Sequence, residues 1–194
     1  MKGIIFNLLE EVVTDELGDA AWDQLLDSTE VEGAYTSLGN YPDQEFLALL
    51  HALPSRADMA QDDLLRWFGR AAIPLLVQRY PVFFEGHAST RSLLHALNDI
   101  IHPEVRKLYP GADVPIFDLE PVAGWEAGDQ VVTLGYRSAR RLCALAEGFV
   151  EGAADHFGER VAIVQPSCLL RGDERCALVC TFAPSFEHVP AGPG

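Results

Sequence analysis

The spacing of apolar residues changes halfway along the chain, and this change limits the fold more than any other feature. In the first half apolar side chains recur every three or four residues, as at Leu8, Leu9, Val12 and Val13, which predicts amphipathic helices. In the second half, shorter apolar runs at 114–119, 130–136, 161–164 and 177–182 predict strands, with one helix at 138–157 between them. The sequence therefore predicts an α+β fold: an N-terminal helical subdomain and a C-terminal antiparallel sheet packed with helices.

Local signals predict where individual helices begin, bend and end. Asp43 precedes an apolar stripe and is a candidate N-cap, and Ser138 is a candidate N-cap for the last helix. Pro74 lies inside an apolar stripe, where its ring should bend or interrupt the helix. Pro103 follows another stripe, and we expect either a kink one turn before it or a new helix start at that point.

Length and charge narrow the class of protein. The 194 residues are 48% hydrophobic, which suits one packed domain over 1–183, followed by a loose Pro- and Gly-rich tail at 184–194. The formal net charge of −15 argues against nucleic acids and anionic membranes as partners. Without a run of about 18 apolar residues we expect no membrane span. Four cysteines are too few for a disulfide scaffold, so the cytoplasm is the expected location.

Common catalytic motifs are absent, and two groups of residues remain as candidates for chemistry. The chain has no Walker loop, no GxGxxG after a strand, no HExxH and no GxSxG, so we do not expect an enzyme. His102 ends an apolar helix, where a lone histidine is typical of a core or surface position. Tyr136, Ser138 and Arg140 stand at the predicted start of the last helix. Basic residues there oppose the helix dipole, which suggests a bound carboxylate or phosphate.

These residues also carry a family resemblance. The opening Met1–Ile5, the stretch Tyr80–Phe84, His102 followed by Tyr109, and Tyr-x-Ser-x-Arg at 136–140 resemble the haem nitric oxide/oxygen-binding (H-NOX) family, bacterial stand-alone type, to about residue 182. The resemblance implies haem b between a distal helical part (about 1–63) and a proximal part (64–183). It implies these roles: His102 binds the haem iron; Tyr136, Ser138 and Arg140 bind the haem propionates; Ile5 and Pro115 press on the porphyrin.

The resemblance also implies which gas binds. Oxygen binding in this family goes with a tyrosine nine residues after the motif tyrosine, and here that position is Leu145. The neighbouring wall would be Ile73, Leu76 and Phe149, which offer no hydrogen-bond donor to bound O₂. We therefore expect nitric oxide and carbon monoxide to bind ferrous haem, with little stable O₂ complex. By family analogy the partner is a separate histidine kinase or a cyclic-dinucleotide enzyme.

The cysteines form a second candidate site. Some bacterial relatives bind zinc through a helix cysteine and a His-x₂-Cys-x₇-Cys segment, and Cys143, Cys168 and Cys176 match three of those ligands. Gln165 stands where the histidine is expected, and Cys180 would lie about 13 Å along a strand from Cys176. Structural zinc, reduced thiols and a disulfide therefore all stay open. The strand–turn–strand at 168–176 also resembles small-ligand domains of the 4-vinyl reductase type. The alternative function is accordingly a haem-free zinc or thiol redox sensor, or a small-ligand-binding module.

Overall fold

The chain folds into helices followed by a helix-packed antiparallel sheet, which confirms the predicted α+β class. A computed structural model describes residues 1–29, 31, 33–53, 58–119 and 130–184. The α-helices are α1 (Gly3–Leu17), α2 (Asp19–Asp27), α3 (Asp43–His51), α4 (Gln61–Arg79), α5 (Thr90–Ala96), α6 (His102–Leu108) and α7 (Cys143–His156). The strands are β1 (Ile116–Asp118), β2 (Val131–Arg137), β3 (Glu159–Ser167) and β4 (Cys176–Pro184), in the antiparallel order β1-β2-β4-β3.

Helix α7 lies between two hydrophobic cores. One core joins α1, α2, α3 and α4, where Phe6, Phe46 and Phe68 are fully buried and pack edge to face. Leu145 of α7 belongs to this core. Val150 of α7 belongs instead to the second core, under the sheet. A helix that is apolar on two faces must be covered on both, so α7 fixes the helical part against the sheet.

Helices α4 and α7 pack with their backbones almost in contact. A Cβ atom on Gly69 would lie 2.7 Å from the carbonyl oxygen of Leu145. A Cβ on Gly152 would lie 2.7 Å from the carbonyl oxygen of Arg70, and one on Gly148 would lie 2.8 Å from Cα of Arg66. Only glycine leaves room for this approach. The arrangement brings side chains of α4 and α7 together in the wall of one cavity.

Two predicted helix starts are wrong, and one expected interruption does not occur. Asp43 is the first residue of α3, not its cap, and forms ion pairs instead. Pro74 does not interrupt α4, which is continuous from Gln61 to Arg79, with Pro74 on its exposed face. Ser138 does not start α7, which begins at Cys143 after a loop. The new helix start expected at Pro103 is observed one residue earlier: α6 begins at His102, directly after a single π-helical turn, Leu97–Ile101.

Two predictions fall on residues outside the described ranges. The turn expected at 124–128 lies in 120–129, and the expected loose tail lies almost wholly in 185–194. The division at residue 63 into distal and proximal parts stays a prediction. Among the helices of the described residues, none is both long and apolar enough to cross a bilayer.

Candidate ligand-binding cavity

A cavity of about 330 Å³ lies between α1, α4, the α5–α6 segment, β2 and α7. Its volume falls in the range of ligand pockets, roughly 300–1,000 Å³. Its walls are mainly aliphatic and aromatic side chains. The structure brings all ten residues predicted to contact haem to this one cavity: Ile5, Ile73, Leu76, His102, Pro115, Tyr136, Ser138, Arg140, Leu145 and Phe149.

His102 reaches the cavity because of the π turn that precedes it. The turn places one extra residue between α5 and α6, a feature often found at functional sites. Asn98 in the turn holds β1 with its side-chain amide, which donates to the carbonyl of Phe117 and accepts from its N–H. The ring of Phe117 then lies 5.6 Å from the imidazole of His102. The imidazole is thus held between the turn and the first strand.

The imidazole of His102 is neutral at physiological pH. Burial, reinforced by the positive charge of Arg106, lowers its pKa to about 4. A hydrogen bond to the backbone of Pro115 raises the pKa, but by less than burial lowers it. Its Nδ1 atom is buried and makes no hydrogen bond. A neutral imidazole in a largely apolar cavity keeps a nitrogen lone pair for a metal ion. The chemistry of this side chain therefore fits an axial ligand to iron.

The Tyr-x-Ser-x-Arg residues lie on the loop between β2 and α7. The hydroxyl oxygen of Tyr136 accepts the N–H of Leu142 at 3.1 Å, and Oγ of Ser138 accepts the N–H of Arg140 at 3.2 Å. Arg141 has a φ of 55°, in the left-handed region. Because α7 starts only at Cys143, its first N–H groups do not follow Ser138 directly. The anion site expected near Arg140 stays a prediction.

The guanidinium of Arg140 is held by two aspartates that the sequence did not point to. Its Nε donates to Asp43 at 2.9 Å, and its Nη1 donates to the backbone carbonyl of Asp113 at 2.6 Å. Asp43 also pairs with the terminal amine of Met1 at 2.6 Å. Asp43 and Arg140 are 97 positions apart, so no local signal could have linked them. The network orients a planar donor group at the cavity wall, where it suits a carboxylate.

Two tyrosines in the same cavity were also missed as site residues. Tyr80, directly after α4, and Tyr109, directly after α6, place their hydroxyls in contact with each other. Burial raises the pKa of Tyr109, and its hydrogen bond to Tyr80 adds to the rise, so the hydroxyl keeps its proton. The pair joins the helix that carries Ile73 to the helix that begins at His102.

Outside the cavity, the three predicted cysteines form a buried cluster. The Sγ atoms of Cys143 and Cys168 are 3.8 Å apart, those of Cys168 and Cys176 are 4.0 Å apart, and all three lie within 4.8 Å of one another. All are free thiols. Burial raises the pKa of Cys168, but the N–H groups of Leu170 and Arg171 and the other thiols lower it more, so this pKa falls below its usual value.

The cysteine cluster does not fit a four-ligand zinc site. Within the part of the chain that the structure describes, no further histidine, cysteine or carboxylate joins the three thiols. Cys180 donates instead to the carbonyl of Leu178 at 3.8 Å. Burial raises the pKa of the Cys143 thiol, and the nearby side-chain amide of Gln165 acts against that rise. A structural zinc site needs four closed ligands, and the described residues supply three.

The fold and the cavity together indicate a class: a domain whose cavity combines a candidate metal ligand, His102, with a cation, Arg140, that suits carboxylate groups. A profile of the haem-NO-binding family matches residues 2–165. No curated protein matches the chain at significant similarity. Since the profile covers most of the sequence, the chain belongs to the haem-NO-binding, or H-NOX, family, whose members bind haem and act as sensor domains rather than enzymes.

Solved structures of H-NOX proteins resemble the whole chain. An H-NOX protein from S. oneidensis in the Fe(II) state is 30% identical, with a TM-score of 0.83, covering 96% of this chain and 98% of that one. The H-NOX from Shewanella woodyi in the Fe(II)CO state is 32% identical, with a TM-score of 0.77 over 98% and 99%. Unliganded H-NOX from K. algicida is 28% identical, with a TM-score of 0.80 over 97% and 100%.

Proposed function

We propose that this protein is a haem-based sensor that binds nitric oxide and carbon monoxide at ferrous iron and signals to a separate effector protein. The observation that carries the proposal is the presence, in one largely apolar cavity, of the neutral imidazole of His102, whose Nδ1 makes no hydrogen bond, and the oriented guanidinium of Arg140. Haem b needs both an axial nitrogen and a counter-charge for its propionates. Bound haem would supply the ferrous iron at which the gas binds.

The residues of the cavity divide this work. His102 offers its lone pair to iron, and the π turn and Phe117 hold the ring so that little ordering is left for binding. Arg140 binds carboxylate through the N–H groups that Asp43 and Asp113 leave free, and Tyr136 and Ser138 shape the loop that presents it. Ile5 and Pro115 line the cavity, where they would press on a bound porphyrin.

The apolar wall selects the gas. Leu145 and Phe149 of α7 face the cavity beside Ile73 and Leu76 of α4, and none can donate a hydrogen bond. Bound O₂ gains about 1–3 kcal/mol from such a donor, or roughly tenfold to a hundredfold in affinity. Nitric oxide and carbon monoxide on ferrous iron depend on it less. The similar S. oneidensis H-NOX has been solved in Fe(II)NO and Fe(II)CO states, which supports this choice.

Signal output requires a part that can adopt two arrangements. The segment from the π turn through Pro103 is the proposed hinge, because a π turn and a proline leave helical hydrogen bonds unmade there. Tyr80 and Tyr109 link this segment to α4. We propose a histidine kinase or a cyclic-dinucleotide enzyme in the cytoplasm as the effector. The net charge of −15 argues against nucleic acids and anionic membranes as partners.

A visible spectrum of the purified chain tests the proposal. The ferrous protein should show a haem spectrum that shifts on adding carbon monoxide or nitric oxide and does not become a stable oxygenated form in air. The His102→Gly variant should lose haem or bind it more weakly, and added imidazole should restore it. His95→Gly, an exposed histidine on α5, is the matched control and should bind haem normally. A colourless chain that takes up no added haem would contradict the proposal.

A haem-free thiol sensor is the second candidate, and the buried cluster of Cys143, Cys168 and Cys176 favours it. A small-ligand module of the 4-vinyl reductase type would likewise work without haem. Under either function His102→Gly would change nothing. The visible spectrum separates these functions from the first, because both predict a colourless protein.

A further inference from the structure

The thiols of Cys143, Cys168 and Cys176 form a trithiol cluster whose sulfurs are close enough together to bind one ion. They lie where α7, β3 and β4 meet, and they are not among the residues that line the large cavity. Their Sγ atoms are 3.8 Å and 4.0 Å apart in two pairs, and all are within 4.8 Å. Small side-chain movements that bring the three sulfurs closer together would let one ion bond to all of them at ~2.3 Å, the length of a metal–thiolate bond.

A backbone donor and a buried amide lie beside the cluster, where they can hydrogen-bond to sulfur ligands. The N–H of Leu169 donates to Sγ of Cys176 at 3.3 Å. The turn that provides this donor is fixed by Asp173, whose Oδ2 accepts the N–H of Cys168 at 2.6 Å. The Nε2 atom of Gln165 is buried and makes no hydrogen bond. A thiolate beside that amide would give the orphaned donor an acceptor.

Donor number and charge decide which ion fits. Thiolates select soft ions, but zinc in a structural site requires a fourth ligand that the described residues do not supply. Three thiolates carry three negative charges, and Cys143, Cys168 and Cys176 are each less than 5% exposed. Burying a net charge is costly. A trivalent ion that is satisfied by three sulfur ligands leaves the buried complex neutral.

We propose that the trithiol cluster binds a trivalent thiophilic ion of the arsenic(III) type through three thiolates, in place of zinc. Arsenite, As(OH)₃, would react with three thiol groups to form three As–S bonds and release three water molecules, with no change in oxidation state. Gln165 donates its amide N–H to a bound sulfur rather than ligating the ion. This site is separate from the haem cavity, so the inference does not depend on the proposed gas-sensing function.

Titration of the reduced full-length chain with sodium arsenite tests the inference. One arsenic should bind per chain, and arsenic X-ray absorption of the unmodified protein should count three sulfur neighbours. Cys143→Ser, Cys168→Ser and Cys176→Ser should each weaken arsenite binding at least about tenfold, because each removes one of three soft ligands. Cys180→Ser is the matched control and should bind arsenite as tightly as the unmodified chain.

A second variant tests why zinc is excluded. Gln165→His supplies the missing imidazole, so zinc affinity should rise at least about tenfold over that of the unmodified chain. Two or fewer sulfur neighbours around arsenic would overturn the inference, and this measurement needs no cysteine variant to fold. Zinc that binds the unmodified chain as tightly as it binds Gln165→His would overturn it as well.

Discussion

The close packing of α4 on α7 makes a prediction whose sign differs from ordinary helix behaviour. An alanine at a roomy position inside a helix is more stabilising than glycine by roughly 0.5–1 kcal/mol. At Gly148, however, the new Cβ would touch the carbonyl oxygen of Arg66 and lie 2.8 Å and 2.9 Å from its Cα and carbonyl carbon. These are backbone atoms, so no side-chain rotation can relieve the contact. The helices must therefore move apart.

The size of the expected loss in stability follows from that displacement of the helices. To reach an ordinary contact of 3.4 Å the backbones must separate by more than half an ångström. Overpacking of this kind costs about 1–3 kcal/mol, and the upper end applies where only backbone can yield. After the gain in helix preference, Gly148→Ala should lower the free energy of unfolding by about 2 kcal/mol, or lower the melting temperature by roughly 4–8 °C.

Urea unfolding of the unmodified chain and of Gly148→Ala measures this difference. Ala48→Gly, at an exposed position within α3, calibrates the intrinsic preference of the two residues in this protein and should cost about 1 kcal/mol. If Gly148→Ala were neutral or stabilising, the close approach of α4 and α7 would be refuted. The same separation should loosen the wall formed by Leu145 and Phe149, so the carbon monoxide complex should form faster in the variant.

Three further predictions address the cavity. Leu145→Tyr adds a hydroxyl donor to the apolar wall and should raise O₂ affinity roughly tenfold to a hundredfold, measured by oxygen titration of the ferrous form; the absence of any oxygenated spectrum would contradict it. Because the pKa of His102 falls from 6.5 to about 4 on folding, the unfolded chain binds more protons between these pH values. The haem-free protein should therefore lose up to roughly 3 kcal/mol of stability as the pH falls from 6.5 to 4, and urea midpoints of His102→Phe should lack this component. Tyr80→Phe and Tyr109→Phe should each cost about 1–2 kcal/mol, and the double variant less than their sum, as a double-mutant cycle can show.

Periodicity predicted the helices and strands well because burial on one face is recorded locally in the sequence. Pro103 predicted the irregular backbone near His102, since a proline removes a backbone hydrogen-bond donor wherever it stands. Pro74 shows the limit of that reasoning. The carbonyl of Arg70, which loses its helical donor to Pro74, lies against Gly152 of α7. Packing between α4 and α7 outweighed the tendency of proline to interrupt a helix. The residues near Pro74 in the sequence do not indicate this packing.

The candidate site also contains residues that the sequence can predict and partners that it cannot. His102, Tyr136, Ser138 and Arg140 could be selected from the sequence because a family motif marks them, and the structure brings them to one cavity. Their polar partners could not be selected, because each comes from a distant part of the chain. The sequence predicts Asp43 as a helix cap, since Asp before an apolar stripe usually is one. Its carboxylate instead serves Arg140 and the amine of Met1, which are stronger partners than a backbone N–H. A charged group pairs with the opposite charge that the fold brings nearest, so the network that orients Arg140 is a property of the assembled cavity and not of any segment within it.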